Sequence, residues 1–263
     1  MRWVAVLVVS FVGIALGVTG LLLLRDDGPA ELLPDLAQAA PGRLEIVEDG
    51  DSYQLVFTSG VANVGAGPLL VEAERPGRET PAMAVRQLVR RTDGSARVRS
   101  DVGELRYAET ESEGRWRLVG FAAYELRRAA DGAPIRPGQV VDVCLGDRTR
   151  AGAEVRADAV PRRPVWTDEC GPGQPGLLVV REGISPGYGM NDVPDRAGPF
   201  IDVTNVPAGR YVLVQQTNPE RALEESDYAN NTASVLIQVR RAGVIPSVRV
   251  LARCPGTDVC RPR

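Results

Sequence analysis

Apolar and polar positions along this chain repeat with a period of two. Tyr53, Leu55 and Phe57 alternate with their neighbours as in a half-buried strand. The run Asn63-Val64-Gly65-Ala66-Gly67-Pro68 breaks the pattern, and residues 69–72 resume it. Residues 83–89 read as another strand, closed by the turn signal Thr92-Asp93-Gly94. Residues 116–126 are long and apolar enough for a central strand. Asp131-Gly132 and Pro137-Gly138 mark the next turns, and residues 177–180, 200–203, 210–215 and 234–240 are further strand candidates. Many short strands at turn-punctuated spacing, with no amphipathic helix in the body, predict an all-β fold of the β-sandwich type.

One stretch departs from this pattern. Residues 3–24 carry no charge. As a helix rising ~1.5 Å per residue they extend about 33 Å, enough to cross a hydrocarbon core. Arg2 precedes the run and Arg25, Asp26 and Asp27 follow it, which places the N-terminus inside and the body outside the membrane. A cleaved signal peptide is the rival reading, but its apolar region is usually shorter and no clear Ala-x-Ala site follows. Either way the body is exported, as a single-pass membrane protein or as a secreted one. The expected organisation is an anchor or signal segment at 1–27, a Pro/Ala/Gly-containing stalk at 28–42, one β domain at 43–240, and a C-terminal strand with a disulfide-closed tail at 241–263.

Charge and composition then narrow the chemistry. The net charge of −3 gives no basic field for nucleic acid. The sequence has no histidine and no lysine, so all 31 basic residues are arginine. Such a chain offers no imidazole ligand, no histidine base and no Schiff-base lysine. Its four cysteines, Cys144, Cys170, Cys254 and Cys260, favour disulfides in an exported protein, with three connectivities open. A Cys254–Cys260 pair would close a small C-terminal loop, and Cys144–Cys170 would then tie a strand to the loop before Gly183. None has Cys-x-x-Cys spacing, which argues against zinc or redox chemistry.

Four blocks carry a resemblance to a known family. The first is Asn63-Val64-Gly65-Ala66-Gly67-Pro68-Leu69 with Gln87-Leu88-Val89. The second is residues 109–128, in which Trp116, Phe121, Tyr124, Glu125 and Leu126 stand out. The third is Pro137-Gly138 running into Cys144-Leu145-Gly146-Asp147. The fourth and longest includes Glu182-Gly183-Ile184-Ser185-Pro186-Gly187, Phe200 to Thr204, Gly209-Arg210-Tyr211, Asn218-Pro219, and Glu225-Ser226-Asp227-Tyr228-Ala229-Asn230-Asn231. Together they resemble the lysyl oxidase family, including bacterial lysyl-oxidase-like domains, over about residues 43–240. The segment Leu32-Leu33-Pro34-Asp35-Leu36 resembles the one that opens such domains and is expected to dock on the body.

The resemblance implies copper-dependent oxidative deamination of primary amines such as peptidyl lysine. Three histidines would hold the copper, and a quinone would form from a lysine and a tyrosine. Here the ligand positions read Glu113, Arg115 and Arg117, the lysine position is Val140, and the tyrosine position aligns with Asp192. Guanidinium groups have no lone pair to donate and would repel a divalent metal. Copper and a lysine-derived quinone are therefore not expected.

Other constellations carry less. Glu109, Glu111 and Glu113 share one strand face and could present oxygens to calcium, although a solvated charge run is the default. Asp227, Asn230 and Asn231 are a second calcium candidate, set against a turn shaped by side chain–backbone bonds. Gly183-x-Ser185-x-Gly187 matches a nucleophile elbow in form, but Pro186 disfavours a following helix and no histidine exists to act as base. Arg115 and Arg117 on one face could clamp a carboxylate or phosphate, or pair internally with Glu109, Glu111 or Glu113.

The sequence thus predicts a membrane-anchored, extracytoplasmic lysyl-oxidase-like protein without catalysis. It would bind or scaffold an exported protein or cell-wall material. The alternatives are a copper amine oxidase with an atypical ligand set and a calcium-stabilised structural domain.

Overall fold

The computed structural model describes residues 28–109, 114–136, 138–152, 155–158, 160–167, 170–192 and 199–261. The expected membrane segment at 3–24, Glu111 and Glu113 lie outside the described residues. Among the described residues the regular elements are all strands. In chain order they are β1 (Glu31–Leu32), β2 (Leu36–Gln38), β3 (Gly42–Asp49), β4 (Ser52–Asn63), β5 (Leu69–Glu74), β6 (Ala82–Arg91), β7 (Ala96–Arg99), β8 (Glu104–Ala108), β9 (Arg115–Arg128), β10 (Gln139–Val143), β11 (Thr149–Arg150), β12 (Val179–Ile184), β13 (Tyr188–Asp192), β14 (Phe200–Asp202), β15 (Gly209–Thr217), β16 (Thr232–Ala242) and β17 (Ile245–Pro255).

The strands form two antiparallel sheets, consistent with a β-sandwich. The larger follows β12-β5-β6-β8-β9-β15-β16-β17, with β1 and β7 added on β6 and β10 on β9. The smaller follows β11-β13-β4-β14, with β2 and β3 also on β4. One apolar core joins them: Leu55 and Phe57 of β4 share it with Met83, Leu105, Trp116, Leu126, Leu213 and Ile237 of the larger sheet. The Phe57 and Tyr124 rings meet edge to face across that core, 5.2 Å between centroids.

β9 organises the larger sheet. Its even-numbered residues Trp116, Leu118, Ala122, Tyr124 and Leu126 are buried in the core, as strand periodicity requires. Leu118 pairs with Leu105 of β8 and with Val143 of β10, so both edges of the strand are used. Gly120 lies between the segments that pair with β8 and with β15, at φ 73°, and its N–H donates to Asp142 Oδ1 at 3.0 Å. A positive φ there is easy only for glycine.

The opposite face of the larger sheet holds a second, smaller apolar cluster of Val212, Val214, Leu236 and Cys260. The C-terminal chain folds back onto it. Both disulfides are present: Cys144–Cys170 and Cys254–Cys260, with Cα separations of 5.8 and 5.5 Å.

Candidate functional site

The site implied by the second block lies at the start of β9. Trp116 is fully buried. Its indole Nε1–H donates to the Gln174 carbonyl at 3.1 Å, Arg75 stacks 4.7 Å from the ring centroid, and Tyr107 meets it edge-on at 5.6 Å. Its backbone N–H donates to the carbonyl of Cys170 at 2.9 Å, so the Cys144–Cys170 disulfide braces this end of the strand. Trp116 is therefore a core anchor.

Alternation turns Arg115 and Arg117 away from that core. Both are half-buried, and Arg117 stands opposite Arg106 of β8, whose guanidinium pairs with Glu104 at 2.7 Å. The Arg117 Nε is buried with no hydrogen-bond partner among the described residues. Glu113 lies outside the described residues. A donor set with two permanent cations does not fit copper, since neither guanidinium can donate a lone pair.

The two positions that the resemblance assigns to a quinone stand on different sheets. Val140 is on β10, 61% exposed, and pairs with Ala123 of β9. Asp192 is on β13 of the smaller sheet, where its backbone pairs with Ser59 of β4.

The first and fourth blocks come together as a buried polar knot. Asn63 Oδ1 accepts the N–H groups of Asp35 and Gly65, while its Nδ2 donates to the carbonyls of Gly67 and Ile184. Glu225 accepts from the Leu36 N–H at 2.8 Å and from the side-chain amides of Asn218 and Asn231. Burial nevertheless pushes its carboxyl up to about 7, against those hydrogen bonds. The segment from Leu32 to Leu36 is thus bound into the domain, with Leu36 fully buried.

The candidate calcium residues take part in this knot. Asp227 Oδ1 accepts the Ala229 N–H at 2.8 Å, which is the local turn bond expected of an aspartate. Asn230 and Asn231 point their Nδ2 groups at Asp35 and at Glu225, while their Oδ1 atoms are buried without a hydrogen-bond partner among the described residues.

A second polar centre joins the third block to the fourth. Asp147 accepts from the N–H groups of Ser185, Val165 and Trp166. Glu182 accepts the Leu145 N–H at 3.0 Å through Oε2, while its Oε1 has no partner among the described residues. Burial pushes the Glu182 carboxyl up to about 8. Sequence reasoning did not single out Glu182 or Glu225. Each sits inside a motif otherwise rich in turn residues, and burial is the property that sets them apart.

Residues 179–246 match the family model described as lysyl oxidase. That segment is lysyl-oxidase-like. It holds β12 to β16 and the whole fourth block, together with Glu182 and Glu225. Arg115, Arg117 and Val140 lie outside it. No curated protein matches the chain. Asp35, Asn63 and Asp147, which share the two polar centres with Glu225 and Glu182, lie outside the matched segment, as do the positions that the resemblance assigns to copper ligands.

Proposed function

We propose that this chain is a lysyl-oxidase-like module that has lost copper amine oxidase chemistry and acts by binding. In this reading residues 3–24 anchor it in a membrane, the β domain is extracytoplasmic, and the partner is an exported protein or cell-wall material. The observation that carries the proposal is the donor set. The chain has no histidine and no lysine, and arginines stand at two of the three ligand positions. The buried knot around Asp35, Asn63 and Glu225 supplies a reason for the lineage to stay readable, because it serves the fold rather than the reaction. The test is peroxide release from primary amines and lysyl peptides in the presence of copper. No turnover is expected, and turnover would restore the oxidase.

A calcium-stabilised structural domain is the second reading. The two buried amide oxygens of Asn230 and Asn231, which lack hydrogen-bond partners, favour it, since oxygen is the ligand calcium takes. A calcium-dependent rise in melting temperature supports this reading, and an unchanged melting curve removes it.

A further inference from the structure

A cavity of about 600 Å³ opens at the far end of β9 from Arg115. Arg128 at its rim stands at the opposite end of the 14-residue strand from Arg115, roughly 40 Å along the chain. The cavity is therefore distinct from the degenerate ligand positions, and its ligand does not depend on whether the protein is an enzyme. Among the described residues the lining includes Arg128, Arg210 and Arg261 and no carboxylate. Arg128 is partly neutralised by Asp131 at 2.7 Å. Arg210 and Arg261 have no ion-pair partner among the described residues.

The deeper wall is apolar. Leu236 and Cys260 line it, and both belong to the small cluster beneath the C-terminal tail. Tyr211 packs in the main core and its hydroxyl donates to the Pro207 carbonyl at 2.8 Å, so it shapes the cavity's edge and its polar group is already used. Arg261 follows directly on Cys260. The Cys254–Cys260 disulfide therefore holds it on the same cavity as Arg210.

We infer that this cavity binds an organic anion: a carboxylate or phosphate group on an apolar body of small-molecule size. The volume falls in the range of small-ligand sites. Guanidinium groups at the rim match a planar or tetrahedral oxyanion bidentately, while the apolar wall takes the rest of the ligand. Arg210 and Arg261, with Arg128 partly neutralised by Asp131, set the sign of the charge.

The experiment is calorimetric titration of the purified protein with 2-naphthoate, 2-naphthamide and inorganic phosphate, in the parent and in an Arg210→Gln/Arg261→Gln variant. Both arginines are exposed, so the variant is expected to melt like the parent. Naphthoate is expected to bind at least about tenfold more tightly than either the neutral amide or phosphate, and the variant to lose about tenfold of that affinity. Equal binding of naphthoate and naphthamide overturns the inference, as does phosphate binding as tightly as naphthoate. An absence of naphthoate binding, or unchanged affinity in the variant, overturns it too. The comparison among the three ligands in the parent decides the matter even if the variant fails to fold.

Discussion

Asn230 donates its side-chain amide to the Asp35 carboxylate at 2.6 Å, joining residues 195 positions apart in sequence. The same carboxylate meets Arg156 at 3.0 Å and Ser226 at 3.5 Å. Its side chain is fully buried, whereas that of Arg156 is 56% exposed. Asp35→Ala would strand a buried amide and cost about 1–3 kcal/mol. Arg156→Ala would cost less than about 1 kcal/mol, since its charge stays in water. Urea denaturation of the two variants checks the ranking, and equal losses would count against a structural role for the knot.

Glu182 predicts a pH dependence. Its folded carboxyl titrates at about 8 against an ordinary value of 4.5, so the folded state disfavours the ionised form. Its contribution to stability is fully present below about 4.5 and is lost as pH rises through about 8, on the order of a few kcal/mol. Glu225, raised to about 7, acts in the same direction over a lower window. The melting temperature is expected to fall between pH 5 and pH 9, and to fall less in Glu182→Gln. An identical slope in that variant would contradict the assignment.

The disulfides should differ in weight. Cys144–Cys170 closes a separation of 26 residues and Cys254–Cys260 one of 6. Loop-closure entropy gives about 3.5 kcal/mol for the first and about 2 kcal/mol for the second. Paired serine variants, melted side by side, should show the larger loss at Cys144–Cys170, which also braces Trp116.

Gly183→Ala should destabilise. A Cβ there would stand 2.7 Å from the Leu69 carbonyl oxygen and 2.9 Å from the Trp166 ring. Backbone cannot yield as a flexible side chain does, so a loss of about 1–3 kcal/mol is expected, with a change in Trp166 emission. Unchanged stability and emission would show that the approach is looser than these distances.

How much of the fold and the site was legible in the sequence depended on where each signal lay. β9, β15 and β16 were readable because long apolar runs ended in turn residues. The near cysteine pair was readable from its spacing. β8 and β10 were not read as strands. They are short, carry charged residues such as Arg106 and Asp142, and owe their strand state to pairing with β9. β13 was not read as a strand either, because its pairing with β4 is long-range. The polar knot could not be foreseen, because Asp35, Asn63 and Glu225 meet only once both sheets are in place. The Arg128–Arg210–Arg261 cavity is of the same kind: three arginines in an arginine-rich chain, made notable only by convergence.

The proposed function requires that the protein hold neither copper nor a quinone. The most direct test is elemental analysis of the purified protein after incubation with copper, alongside a quinone stain. The account predicts neither stoichiometric copper nor a positive stain. Copper at one equivalent with a stained band would contradict it and require a ligand set that contains no histidine.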